Sequence, residues 1–367
     1  MRENLVAAVS NRYLKFLNSE AAPYFASRAK KPVDRQLREI HALWRRYHCP
    51  PYHYFKHRLY ERGARIDVLN YFPPELVGRF QRFVNPIENA KLLHDKRETC
   101  SALRAAAVPC VSDLLSVSRS GEIFDATGQS MPAQVAAKTL TEHGAFVFVK
   151  PIDGGVGNGA SRRRTEEVAN ELLSGVARNV VVQPVLHNHP TLHQIFPGAL
   201  NTIRVDTLVD GNECWITAAC LKVATGQAQV DNWSKGAIAV GIDLKSGALA
   251  SSGIRKASFG RTFHAFHPDT GARFGQIVVP WWPEVLELSR RAALALRPHL
   301  ALGWDIAVTA SGPLAIEANH KSDFFLLQET CGPLGQTRLA EKAMMHWCRC
   351  KGIAAAGVRS SAARQGL

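Results

Sequence analysis

The stretch Gly303-Trp-Asp305-Ile-Ala-Val-Thr309-Ala-Ser-Gly312-Pro-Leu-Ala-Ile-Glu317-Ala-Asn319-His320 decides how the rest of this 367-residue chain is read. Two apolar runs, Gly303–Thr309 and Pro313–Ala318, flank Ala310-Ser311-Gly312, and this predicts two strands joined by a tight turn. Asp305 then lies near one rung and Glu317, twelve residues on, close to the opposite rung. Glu317 and Asn319 are two apart on a strand and share a face, with Ile316 and Ala318 expected on the other. Two carboxylates and an amide oxygen make a hard, oxygen-only donor set suited to Mg²⁺ shared with phosphates. The plain alternative is a solvent-facing polar edge.

Upstream, Ala145–Lys150 (AFVFVK) is a short apolar run bounded by Gly144 and Pro151, and it reads as a buried strand. It leads into Lys150-Pro-Ile-Asp-Gly154-Gly155-Val-Gly157-Asn158-Gly159. Glycines let backbone approach an anion without Cβ interference, and their N–H groups can cradle phosphate oxygens. Lys150 would neutralise the same charge. The lysine precedes the glycines, so this is not a Walker P-loop, and the glycines do not open the next helix, so it is not a Rossmann fingerprint. A plain hairpin loop is the other reading. Thr165–Ser174 reads as a helix and Asn179–Leu186 (NVVVQPVL) as a strand. Asn201-Thr-Ile-Arg204-Val-Asp206 opens a further strand, where an arginine can brace a transferring phosphoryl group.

The remainder reads as strands and turns. Thr202–Val209 and Cys214–Val223 flank Asp210-Gly211-Asn212, a hairpin signal; Ala237–Leu244 is a strand and Pro283–Leu296 a helix. Residues 85–108 read as a helix opened by Asn85-Pro86, and residues 1–84 as helical and basic. Within that segment Leu37, Ile40, His41 and Trp44 fall on one helix face before Cys49-Pro50-Pro51 stops it. From Arg28 to Arg65 there are eleven Lys/Arg against three Asp/Glu, in a chain of net charge +14. Such a patch could meet an acidic partner, although no nucleic-acid motif accompanies it and a solvated helical face explains it as well. The eight cysteines have no zinc-knuckle spacing and read as reduced thiols. No run reaches the ~20 apolar residues of a membrane span. The N-terminus lacks a signal-peptide pattern, so a cytoplasmic location is the default expectation. Residues 351–367 are expected to be a disordered tail.

Lys150 with its glycines, the strand ending Val182-Gln183-Pro184-Val185, the NTIRVDT run and the D-x11-E-x-N pattern together resemble the ATP-grasp superfamily, which includes D-alanine–D-alanine ligase and glutathione synthetase. Asp95-Lys96, NTIR and His267-Pro-Asp-Thr-Gly271 followed by Pro280-Trp281 are most similar to its sugar-transfer associated family, over about residues 85–345. The resemblance implies an α+β fold with two lobes sandwiching ATP: a basic helical segment (1–84), a small lobe (85–186) and a large lobe (187–350). It implies that Lys96 and Lys150 contact the nucleotide, that Gly154, Gly155, Gly157, Asn158 and Gly159 close over the phosphates, and that Gln183, Pro184 and Val185 form the adenine hinge. Asn201 and Arg204 would sit at the nucleotide, with Arg204 at the γ-phosphoryl group, and Asp305, Glu317 and Asn319 would hold one or two Mg²⁺.

Gln183 stands where the hinge often carries an acid, and Lys235-Gly236-Ala237 where relatives often have paired glycines. The basic segment does not resemble the Rossmann-like domain of many such ligases. The implied activity is ligation of a carboxylate to an amine through an acyl-phosphate, the acid being a small molecule or saccharide- or peptide-like. Catalysis would rest on Lys150 and Arg204 and need no cysteine or serine nucleophile; Cys331 reads as structural. A kinase of the same fold, phosphorylating a carboxyl or hydroxyl group, and a non-catalytic basic binding module are the competing readings. His187, His189, His193, His264 and His267 flank the expected cleft but read as ordinary loop histidines.

Overall fold

The computed structural model describes residues 22–62, 67–86, 93, 95–153 and 159–354. The smaller sheet is built from short β-branched runs: β1 (Leu115–Val117), β2 (Ile123–Asp125), β3 (Phe146–Pro151), β4 (Ser161–Arg164) and β5 (Val180–Pro184). All pairings are antiparallel, in the order β2-β1-β5-β3-β4. Alternation sends Val147, Val149 and Val182 to one face, where Leu140 of the helix Ala133–His143 and Val168 and Leu172 of the helix Thr165–Leu173 cover them.

The larger sheet comprises β6 (Thr202–Asp210), β7 (Glu213–Val223), β8 (Ile238–Ile242), β9 (Leu249–Arg255), β10 (Phe263–His264), β11 (Ala301–Thr309) and β12 (Gly312–Asn319). It is antiparallel throughout, in the order β10-β9-β8-β7-β6-β11-β12. The β6–β7 hairpin turns at Gly211, whose φ of 62° is the conformation expected of a glycine there.

Both faces of this sheet are buried. Ile203, Val205, Leu221, Val240 and Ile306 pack beneath the helix Trp282–Ala295. Leu208, Ala218, Cys220 and Ala239 point the other way, toward the helices Phe324–Cys331 and Arg338–Lys351. The N-terminal helices Val33–Tyr47 and Pro74–Val84 share this second core through Leu43, Tyr47, Leu76, Val77 and Phe80. A buried ion cluster pins them: Glu329 meets His57 Nδ1 at 2.7 Å and Arg261 Nε at 2.9 Å. No helix among the described residues is long and apolar enough to cross a membrane.

Several expectations are corrected. The helix Val33–Tyr47 buries Gln36, Leu43 and Tyr47, while Leu37 (61% exposed) and Trp44 (54%) point outward. The buried strip adjoins the one that the spacing marks, and Tyr47 on it bonds through its hydroxyl to the Leu69 carbonyl. Of the helix expected over residues 85–108, Lys96–Ala105 is helical and capped by Asp95, which accepts a hydrogen bond from the Arg97 N–H, while residues 87–92 and 94 lie outside the described residues. Asn85 instead ends the helix Pro74–Val84 and donates to the carbonyls of Ala301 and His320. The C-terminal stretch read as strands and turns contains two helices, the second stopped at Gly352 in the left-handed region. The tail expected to be disordered falls, from residue 355 on, outside the described residues.

Gly241 on β8 lies against the backbone of the helix Phe324–Cys331, and a Cβ built there would sit 2.3 Å from the Thr330 carbonyl oxygen. Gly241→Ala is therefore expected to lower stability by about 1–3 kcal/mol in urea unfolding. Unchanged stability would refute so close a packing of helix on sheet.

Candidate functional site

A cavity of about 640 Å³ lies between the two sheets. Lys96, Lys150, Gln183, Pro184, Val185, Arg204, Asp305, Glu317 and Asn319 all line it, although they come from points spread over more than two hundred residues of chain. The other candidates lie away from the cavity lining or outside the described residues. Asn201 is fully buried away from the cavity, its amide donating to the carbonyls of Leu192 and Phe196, so it braces the chain before β6. Gly154, Gly155, Gly157 and Asn158 fall outside the described residues; Gly159 adopts φ 76°, with Pro151 next to its Cβ position.

The floor is a cross-strand rung. Arg204 on β6 pairs with Asp305 on β11, which pairs with Glu317 on β12. The Arg204 guanidinium donates to both carboxylate oxygens of Asp305, Nε to Oδ1 at 2.9 Å and Nη2 to Oδ2 at 3.1 Å. Lys222, one rung over on β7, reaches the same Oδ1 at 2.9 Å, and Asn319 Nδ2 approaches Oδ2 at 3.4 Å. Burial alone would raise the Asp305 carboxyl, but Arg204 and Lys222 outweigh it and hold the group well below the carboxylate range. Burial likewise works against the charged forms of Arg204 and Lys222, yet Asp305 keeps both pKa values above their usual ones.

The register slips after Asp305, so that Ile306 opposes Ala315 and Ile316 is left unpaired. This bulge corrects the expected face of Ile316. It does not join Ala318 in the core but lines the cavity beside Glu317 and Asn319. Glu317 has neither a hydrogen bond nor an ion pair among the described residues.

On the small-lobe side, Lys96 Nζ donates to the carbonyls of Pro151 and Ile152, both at 3.3 Å. Lys150 at the end of β3 is buried, which lowers its pKa against the opposing pull of Glu317. Gln183 faces the neighbouring layer, where its Nε2 donates to Asp113 Oδ1 at 2.6 Å. Burial in turn raises the Asp113 carboxyl. The carboxylate beside the Gln183 amide is thus supplied from residue 113.

Sequence reasoning missed Lys222, Asp113 and Asp231. A lone charge in the apolar run Cys220-Leu-Lys222-Val marked Lys222; nothing local marked the other two. Asp231 Oδ2 accepts from the Thr202 N–H at 2.6 Å and from its hydroxyl at 2.5 Å. Among the histidines, His187 and His193 line the cavity, whereas His267 is buried and bonded to the Ala224 carbonyl. All eight cysteines are free, and the Cys331 thiol donates to the Ala219 carbonyl at 3.1 Å.

Asp206, two residues after Arg204 on β6, is fully buried, and burial raises its carboxyl from 3.8 to about 7. A buried acid with a raised pKa binds its proton more tightly when folded. Stability contributed by this group is therefore present at low pH and declines as pH rises from about 4 to about 7. Asp206→Asn is expected to flatten that decline, gaining stability relative to wild type at pH 8 but not at pH 4 in urea titrations. An identical pH dependence in the two proteins would contradict the assignment.

The sugar-transfer associated ATP-grasp family model matches residues 75–333. No curated protein matches. Among solved structures, similarity extends to the L-amino acid ligase of Bacillus licheniformis (10% identity, 70% of this chain and 48% of that one, TM-score 0.40). It extends also to a biotin carboxylase of Campylobacter jejuni (14%, 73% and 52%, 0.45) and the D-alanine–D-alanine ligase of Coxiella burnetii (13%, 77% and 71%, 0.39). The chain spans about half the length of the first two. At these scores the likenesses carry no argument, and the assignment rests on the family match together with the fold and the cavity. This chain belongs to the sugar-transfer associated ATP-grasp family.

Proposed function

We propose that the chain is an ATP-dependent ligase that joins a carboxylate to an amine. The observation that supports this reading best is one cavity holding Lys96, Lys150, Arg204 and Lys222 with Glu317, a carboxylate that has no partner of its own among the described residues. Arg204 and Lys222, fixed by Asp305, face Lys96 and Lys150 across the cavity, and cations on both walls suit a polyphosphate and a substrate carboxylate, which repel one another.

The donor set fits a hard cation. Glu317 and Asn319 offer oxygens on the cavity wall, and bound phosphates complete such shells for Mg²⁺. Asp305 fits less simply, because Arg204, Lys222 and Asn319 already use its lone pairs. In this arrangement Asp305 orients the two cations, and Glu317 and Asn319 would be the residues that hold the ion first. Mg-ATP would supply the phosphoryl group that makes the carboxyl carbon reactive. The chain's own part is to hold charge in place: Lys150 and Lys96 on the small-lobe side, Arg204 and Lys222 on the opposite wall, with Pro184 and Val185 as backbone at the hinge. Arg204 keeps its proton throughout, so it steadies charge rather than transferring a proton. In this reading the chain divides into a basic segment (1–84), a small lobe (85–186) and a large lobe (187–350).

Incubating the protein with ATP, Mg²⁺, a panel of carboxylates and hydroxylamine should give ADP and a hydroxamate with at least one acid. A stable phosphorylated product that forms without any acceptor would instead make the chain a kinase. Glu317→Gln is expected to lower turnover about 10²–10³-fold or more while leaving the urea midpoint within error of wild type. Retained turnover would remove the metal assignment. Lys150→Ala should weaken ATP binding at least about tenfold by calorimetry, the value of one charge-assisted contact.

A further inference from the structure

Asp231 has no role in the nucleotide or metal chemistry proposed above, yet it lines the same cavity while only 8% exposed. Its side chain is fixed from one side. Oδ2 takes the Thr202 N–H at 2.6 Å and the Thr202 hydroxyl at 2.5 Å, and Oδ1 accepts no hydrogen bond among the described residues. The cation that acts on it is Lys222, whose ammonium group is bonded 2.9 Å from Asp305. Thr202 and Arg204 share a face of β6 one two-residue repeat apart, roughly 6.5–7 Å along the strand. Asp231 therefore presents a free carboxylate oxygen one step along the wall from the arginine at the reacting end. A buried anion without a counter-charge of its own is unfavourable unless a ligand supplies one.

We infer that Asp231 is the acceptor residue of this site, binding a primary ammonium group through Oδ1 and taking its proton before attack. The inference rests on the ligase reading. In the step it assigns, the ammonium gives one proton to Asp231 and the freed amine attacks the acyl carbon of the acyl-phosphate. A C–N bond forms and the carbonyl C–O bond to phosphorus breaks; the second amine proton leaves with the phosphate as HPO₄²⁻, and Asp231 later returns its proton to solvent. Burial raises the Asp231 carboxyl, in the direction that makes it a better proton acceptor. Lys222 and Asp305, which face it, oppose one another in this effect. The acceptor class is thus a cationic primary amine, and a neutral hydroxyl acceptor would gain nothing from Asp231.

The test compares two acceptors with whichever carboxylate the panel identifies. Hydroxylamine is largely uncharged near neutral pH and needs no prior deprotonation; primary amines, drawn from amino acids and amino sugars, need both the anchor and the base. In Asp231→Asn the ratio of amide to hydroxamate should fall about 10- to 100-fold, with a higher KM for the amine. Equal loss with both acceptors would reduce Asp231 to a brace for Thr202 and overturn the inference. If Asp231→Asn does not fold, Asp231→Glu carries the test, since it keeps the charge but displaces it; a wild-type ratio there overturns the assignment. If wild type forms hydroxamates but no amide with any primary amine, the acceptor class is wrong while the ligase's activation step stands. If no acid yields a hydroxamate, it is the ligase reading itself that fails.

Discussion

Asp305 is the group on which the candidate site depends. It sits on the penultimate strand of a seven-stranded sheet and holds Arg204 and Lys222, from the next two strands inward, by bonds of 2.9 Å. Two buried cations side by side would repel and lose their hydration; one carboxylate between them compensates both. The arrangement fixes the direction of both side chains, so the positive wall of the cavity exists before any ligand arrives. Preorganised charge of this kind needs no rearrangement at the moment of reaction, the condition under which electrostatic stabilisation is most effective.

That rung is rigid because the sheet carrying it is packed on both faces. Alternate residues of β6 and β7 enter separate cores, one under the helix Trp282–Ala295 and one under the C-terminal and N-terminal helices. The basic N-terminal segment thereby contributes to the support of the site, through Leu43, Tyr47 and the His57–Glu329–Arg261 cluster. Arg38, Arg45 and Arg46 of the segment are exposed while Leu43 and Tyr47 are buried, and the buried Lys31 is paired with Glu39. The bulge at Ile316 is a small departure with a local consequence, since it moves an apolar side chain out of the core and into the cavity wall beside Glu317.

The strands of the large sheet were legible because their signals are local. A period of two, a turn such as Asp210-Gly211-Asn212 and the β-branched runs lie within a few residues of one another. Helix ends were less legible. Asn85, read as a helix start, instead closes the helix Pro74–Val84 and bonds to the Ala301 and His320 carbonyls, partners far away in the sequence. The face of the helix Val33–Tyr47 that is buried could not be chosen from its apolar stripe, because that stripe is wider than the surface offered to it.

The sequence by itself determined the chemistry available: an acid, an acid and an amide at fixed spacing, a strand-end lysine before glycines, and an arginine opening a strand. Strand geometry converts such spacing into a shared face. Only the tertiary structure decided which charges meet. Lys222 and Asp305 are 83 residues apart in the chain, and Asp231 and Thr202 lie on different elements, yet each pair is in hydrogen-bond contact. It also separated Asn201, buried beneath Leu192 and Phe196, from Arg204 three residues later. Contacts of that range follow from sheet order and from competition for buried space, which no window of sequence contains.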